Sequence, residues 1–291
     1  MRIGGALALG AIIVAGAFFL QSPAGDQNGA NVSAVVWGDG KTYIRSTDSD
    51  RDGMSDWEEE LRDMTLRATP DAETYVGPTN ESVGEPTTLT ERFSRAFFEQ
   101  YVRSDASGML TTENKGKFLD ASIATLEDSS RDTLLNRNDI TIGDDTETTL
   151  RAYGNSLTEI IDRHSFETEN EITILERAVQ SDSEEELKKL TNIANAYDAI
   201  LTDTLTVSAP EGLVNEHLAL VNAYQAIRND IEAMEQSFVD PLYAMIRVKR
   251  YTDDVSALHQ SLKRIYARID AEGIVYADDE WGKAGEWYVH N

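Results

Sequence analysis

The chain has 291 residues, no cysteine, and 52 acidic against 26 basic residues, for a formal net charge of −26. Without cysteine there are no disulfides, no thiol nucleophile and no lipid attachment through an N-terminal cysteine. So negative a surface, with no basic stripe to interrupt it, repels phosphate backbones, and no nucleic-acid partner is expected.

The first element is Ile3 to Leu20, an uncharged apolar run behind Arg2. Its length reaches what a helix needs to span a bilayer, so residues 1–24 read as a membrane anchor. Ser22-Pro23-Ala24 supplies small residues where a signal peptidase could cut, which leaves a cleaved signal as the alternative. With Arg2 held on the cytoplasmic side, the expected address is the cytoplasmic membrane, single-pass, with the bulk extracytoplasmic. If the segment is cleaved, the protein is secreted. An acidic surface suits either place, because divalent cations or salt outside the cell relieve its self-repulsion; a halophilic origin would give the same balance.

Residues 25–47 follow, with Val32–Trp37 and Thr42–Ile44 flanking Gly38-Asp39-Gly40. Two short β-branched runs around a glycine turn predict a hairpin. The next twelve residues carry the strongest chemical signal: Asp48-Ser49-Asp50-Arg51-Asp52-Gly53-Met54-Ser55-Asp56-Trp57-Glu58-Glu59. Counted from Asp48, carboxylates stand at loop positions 1, 3, 5, 9 and 12, with glycine at 6. This is the ligand spacing of a calcium loop. Asp48, Asp50 and Asp52 converge on one ion as the loop winds, and Gly53 permits the sharp turn. Met54 offers its carbonyl, Asp56 sits at the ninth position, and Glu59 closes the shell with two oxygens. Ca2+ is therefore the expected metal, held by Asp48, Asp50, Asp52, Met54, Asp56 and Glu59.

A full EF-hand has a helix on each side of its loop. Here Asp56 to Arg67 predicts an exiting helix, with Trp57 and Leu61 one turn apart, whereas Trp37 to Ile44 on the entering side is broken by glycine. The half-helical form resembles the aspartate-rich loops of thrombospondin type-3 repeats and dockerin-like modules. That resemblance covers only about these twelve residues, and it implies that Asp48, Asp50, Asp52, Asp56 and Glu59 are ligands. Such loops usually come in tandem, and this chain has one clear copy, so a multi-calcium rod is not implied. A second window, Asp105 to Thr111, fails the pattern, because aligning Gly108 with Gly53 puts Arg103 at the first ligand position. It reads as a turn between helices.

Residues 48–68 thus form the calcium loop and exiting helix, and residues 69–88, with Pro70, Gly77, Pro78, Gly84 and Pro86, form a linker. From residue 89 to 291 the pattern is helical. Thr88 and Glu91 have capping-box spacing, and Phe93, Phe97 and Tyr101 repeat every four residues behind them. Further helices are expected at about Thr112–Leu126, Glu147–His164, Glu169–Gln180, Ser183–Leu205, Glu211–Phe238 and Pro241–Ala271. Three of them carry continuous apolar stripes: Leu190, Ala194, Tyr197, Leu201, Leu205; then Leu213, His217, Leu220, Tyr224, Ile227, Ile231, Met234, Phe238; then Val255, Leu258, Leu262, Ile265, Ile269. The expected fold is mainly α: an antiparallel helical bundle preceded by an N-terminal membrane helix and a small calcium-loop segment. A coiled-coil partner is the alternative use of the stripes.

Catalytic chemistry is not indicated. His164, His217, His259 and His290 form no HExxH pair, and there is no GxSxG elbow, P-loop or GxGxxG run. His217 and His259 lie on or beside apolar stripes and read as core or boundary histidines. The acidic pairs Asp253-Asp254 and Asp278-Asp279-Glu280 read as solvated surface. Trp281, Trp287 and Tyr288 near the C-terminus are expected to cap the bundle or to present an aromatic contact patch. The ordering of apolar N-terminus, Asp-rich loop, Pro/Gly linker and helical domain resembles envelope proteins of small-genome bacteria. It implies a surface location and brings no catalytic residues. The functional expectation is a membrane-anchored extracytoplasmic calcium-binding protein with a structural or interaction role, meeting an envelope protein or polymer. The alternatives are an enzyme acting on envelope polymers and a ligand-binding sensory domain.

Overall fold

A computed structural model describes residues 33–36, 42–45, 86–107 and 111–290. The apolar run Ile3–Leu20, the loop Asp48–Glu59 and the 69–85 segment lie outside the described residues. The hairpin is present: β1 (Ser33–Val36) pairs antiparallel with β2 (Thr42–Arg45), Ser33 opposite Arg45 and Val36 opposite Thr42. Everything from residue 89 onward is mainly helical and held by helix-on-helix packing. Among the described residues, no helix is long and apolar enough to cross a membrane.

The first helix, α1 (Leu89–Ala106), begins where the sequence places it. Thr88 Oγ1 accepts from the Glu91 N–H at 3.1 Å, and the Glu91 carboxylate accepts from the backbone of Thr87 and Thr88 at 2.7 and 3.4 Å. Two donors that a helix start would leave unpaired are satisfied reciprocally. Phe93, Phe97 and Tyr101 stack along one face, with centroid separations of 5.6 and 6.3 Å. They meet Phe118 of α2 (Thr112–Ser129), whose ring lies 5.2 Å from that of Phe97.

After α2 the chain crosses the body in extended form, enters a 3-10 turn at Arg137–Asp139, and forms the short strand β3 (Ile142–Gly143). Then come α3 (Glu147–His164), α4 (Glu171–Ser181) and α5 (Glu184–Thr206), each capped at its start, by Thr146, Asn170 and Ser183 respectively. Strand β4 (Ala209–Pro210) runs parallel to β3, pairing Ile142 with Ala209. Two long helices follow, α6 (Val214–Glu235) and α7 (Pro241–Ala271). Proline in the first turn of α7 suits a position whose N–H has no intrahelical acceptor. Gly273, at φ 74°, ends α7 in the left-handed region that glycine enters without a Cβ clash.

An ion pair and a hydrogen bond between α5 and α6 show their direction: Asp198 pairs with Arg228, and Thr191 donates to Glu235, so partner numbers fall on one helix as they rise on the other. Helix α7 turns back on α6 through a five-residue connection, Gln236 to Asp240. The expected stripes line the interior between these helices. Leu190, Leu220, Ile227, Ile231, Met234, Leu258, Leu262 and Ile265 are fully buried, joined by Leu150, Tyr153 and Leu157 of α3. Burying such side chains contributes about 1.5–3 kcal/mol each relative to exposure.

The C-terminus folds onto this core. Short helices α8 (Gly282–Gly285) and α9 (Trp287–His290) place Tyr288 over Tyr266, ring centroids 5.9 Å apart, with His259 wedged beside Trp287 and Tyr288. Gly154 and Gly285 permit the approach: a Cβ at either would lie 2.0 Å from Tyr276 Oη or a Tyr266 ring carbon. Glu280 is not the solvated surface expected of an acidic run. It pairs with Arg151 at 2.8 Å, and accepts from Asn155 at 3.0 Å and from the Ala277 N–H at 2.7 Å.

One carboxylate joins the α1–α2 hairpin to the rest. Asp240 caps α7, accepting from Tyr243 N–H at 3.4 Å, and also accepts from Leu89 N–H at 2.6 Å and Thr90 N–H at 2.9 Å at the start of α1. Thr90 Oγ1 donates to Asp240 at 2.5 Å and accepts from Leu242 N–H at 3.0 Å. Two helix N-termini, each a partial positive charge, converge on one anion. A satellite core of Leu89, Leu126, Leu242 and Ile246 closes around it.

Candidate functional site

The residues predicted to hold Ca2+, namely Asp48, Asp50, Asp52, Met54, Asp56 and Glu59, lie outside the described residues. Among the described residues, no group of three His, Asp or Glu side chains is arranged to hold a metal ion. Residues 108–110, within the window expected to be a turn, also lie outside them.

The described chemistry concentrates instead in a buried ionic cluster where the crossing segment, α6 and α7 meet. Arg247 of α7 is fully buried, its side chain 0% exposed. Its Nη1 donates to the Asp132 carboxylate at 2.9 and 3.0 Å and to Ser130 O at 3.0 Å, while Nη2 donates to Ala226 O at 2.9 Å. Its Nε lies 2.7 Å from Asp230 Oδ1. One turn on, Arg250 reaches Asp132 at 3.3 Å and Asp254 at 3.4 Å. Burial opposes the charge on Arg247, but Asp230 and Asp132 outweigh it, and its pKa is raised. Burial also pushes the Asp230 carboxyl up to about 9 despite Arg247 beside it, and raises Asp254 against the pull of Arg250. Asp254 is half-buried, with its Oδ2 enclosed, which corrects the reading of Asp253-Asp254 as solvated surface for Asp254 alone; Asp253 is exposed.

Polar residues of α6 complete the setting. Asn222 exchanges hydrogen bonds with the Leu135 backbone at 2.8 and 3.1 Å, Gln225 donates to Thr133 O at 2.8 Å, and Asn229 donates to Asp132 Oδ1 at 2.7 Å. The three lie one helical turn apart in succession: Asn222 and Gln225 pair the backbone of a segment that has no sheet to pair with, and Asn229 holds the Asp132 side chain. Sequence inspection followed the apolar stripes and missed both this polar ladder and the cluster. The available signal was charge at core positions: Asp230 lies in register with Ile227 and Met234, and Arg247 and Asp254 with Tyr251 and Leu258.

Two further interior groups are structural in character. His217 is fully buried, as its place on the stripe predicts, and its Nδ1 is 2.9 Å from Tyr153 Oη. Burial depresses its pKa to about 4, so the ring is neutral near pH 7. Glu171, at the start of α4, is 2% exposed; burial raises its pKa, against hydrogen bonds from its own backbone and Tyr251. Comparison with family models, with curated proteins and with solved structures gives no match for this chain.

Proposed function

We propose that this chain is a membrane-anchored, extracytoplasmic calcium-binding protein with a structural or interaction role at the cell envelope. In this reading Ca2+ is held by Asp48, Asp50, Asp52, the Met54 carbonyl, Asp56 and Glu59. It stiffens the segment joining a membrane helix to an antiparallel helical bundle. The observation that carries the reading is the loop spacing: five carboxylates and one glycine at the ligand positions of a single twelve-residue window. The apolar run behind Arg2 supplies the membrane and the orientation. The helical body adds support of its own. The apolar stripes of its three longest helices line one core, so these helices pack on one another. Its acid pair, Asp230 and Asp254, is enclosed by arginines rather than open to a polymer.

Titration calorimetry on the full chain tests the proposal. One loop with a single flanking helix has little preorganisation, so binding of one ion with a Kd on the order of 10⁻⁴ to 10⁻³ M is expected. The double substitution Asp48→Ala, Asp52→Ala should abolish the heat. No calcium heat in the parent, or the same heat in the double variant, refutes the assignment.

A further inference from the structure

The buried cluster sets three carboxyls, Asp132, Asp230 and Asp254, against two guanidiniums, Arg247 and Arg250. Asp132 is saturated, accepting from Arg247, Arg250 and Asn229. Asp230 is not. The N–H of Arg247 Nε is close but not aimed at it, and both Asp230 oxygens, together with Oδ2 of Asp254, are buried without a hydrogen-bond donor. Buried acceptors of this kind are rare because each forfeits its hydration. The two carboxyls sit on the same arginine pair, Asp230 beside Arg247 and Asp254 beside Arg250, and each shifts the other's pKa; two carboxylates so placed have no hydrogen to offer each other.

We propose that Asp230 and Asp254 share one proton at neutral pH, carried on Asp230 and donated to Asp254, so that the cluster is electrically neutral and locks the α6–α7 contact. One hydrogen removes the missing donor and cancels the excess negative charge together. Loss of that proton to solvent leaves the cluster at net −1 with no compensating cation, so the junction of α6, α7 and the Ser130–Asp132 corner loosens in alkali.

The groups facing the pair are consistent with this. From α7 they are Arg247, Arg250, Tyr243 and Tyr251; Asp132 comes from the crossing segment, and Glu232 of α6 lies near Tyr243. Glu171 of α4 approaches through Tyr251, and Tyr197 of α5 stands near both. Tyr197 and Tyr251 are raised well above 10 by burial and do not ionise in the window concerned. The sign is fixed by linkage: a carboxyl raised in the fold contributes stability that is full below its unfolded pKa of 3.8 and is lost as pH rises through about 9. His217 and His259 act oppositely, but only below their ordinary 6.5, so above that the slope belongs to the raised carboxyls, this pair and Glu171.

Infrared difference spectra of the full chain test this directly. At neutral pH the carbonyl band of a protonated carboxylic acid should be present. It should lose one carboxyl's intensity in Asp230→Asn, lose none in the exposed neighbour Asp253→Asn, and bleach as pH rises through about 9. Any contribution from Glu171 stays constant between these variants. The urea midpoint of the parent should fall between neutral pH and pH 9, and that of Asp230→Asn should fall less. If Asp230→Asn does not fold, Asp254→Asn replaces the shared proton with an amide hydrogen and should also remove the band. A parent spectrum with no band that bleaches in this range overturns the proposal. So does a folded Asp230→Asn protein that keeps the full band or the parent's pH slope.

Discussion

Asp240→Ala is expected to cost about 3 kcal/mol, well above the usual loss for a helix cap. A single cap replaced by alanine costs roughly 1 kcal/mol, and Asp240 serves two helices, giving about 2 kcal/mol before desolvation is counted. The α1 donors are buried, Leu89 being 8% and Thr90 3% exposed, so removal of the carboxylate strands N–H groups that water does not reach. An unsatisfied buried donor adds about 1 kcal/mol or more. Urea unfolding followed by circular dichroism, extrapolated linearly, measures the total. The share belonging to each helix is separable with Asp240→Ser. A serine hydroxyl is long enough to cap its own helix, α7, and too short to reach Leu89, so about half of the loss should return. A loss under about 1 kcal/mol for Asp240→Ala, the range of ordinary surface changes, would refute the reasoning, as would full stability in Asp240→Ser.

Gly154→Ala would place a Cβ 2.0 Å from Tyr276 Oη, and should cost about 1–3 kcal/mol while loosening Tyr276 and the Glu280 contacts in hydrogen exchange; an unchanged stability would mean that the C-terminal segment is not seated against α3. His217, depressed from 6.5 to about 4 by burial, contributes stability that is present above 6.5 and lost as pH falls through 4, about 3 kcal/mol in all. Replacing it with leucine should flatten the acid limb of the stability profile, and an acid limb as steep as the parent's would show that the ring is already solvated.

The helices were legible wherever local chemistry and periodicity agree. The spans Glu147–His164 and Pro241–Ala271 match between sequence and structure because Thr146, Pro241 and Gly273 mark their ends locally. The sequence pattern predicts α6 from Glu211, but Glu211–Leu213 is a 3-10 turn behind Pro210, and regular helix starts at Val214. The stripes through Leu220, Leu258 and Tyr197 were readable because a 3.6-residue period survives any tertiary arrangement. The ionic cluster was not, since Asp132, Asp230, Asp254 and Arg247 meet only after α6 and α7 fold against each other. Adjacent acids such as Asp253 and Asp254 look alike in sequence, and only the helix face separates the exposed one from the half-buried one. The same applies to Glu280, whose partners Arg151 and Asn155 lie more than a hundred residues earlier. The calcium loop is the reverse case, with every proposed ligand within twelve consecutive residues, and so readable from spacing alone.

Hydrogen exchange on the full chain with and without calcium tests the central claim most directly. Asp48 to Glu59 gathers six carboxylates, five of them at ligand positions, that repel one another when no cation is bound, so calcium should add protection at about residues 44–66. The helical body has its own core and its own seal at Asp240, so little should change beyond Leu89. Absence of any change at residues 44–66 would contradict calcium binding by the loop. Strong calcium-dependent protection across Glu211 to Ala271 would contradict its independence from the helical body.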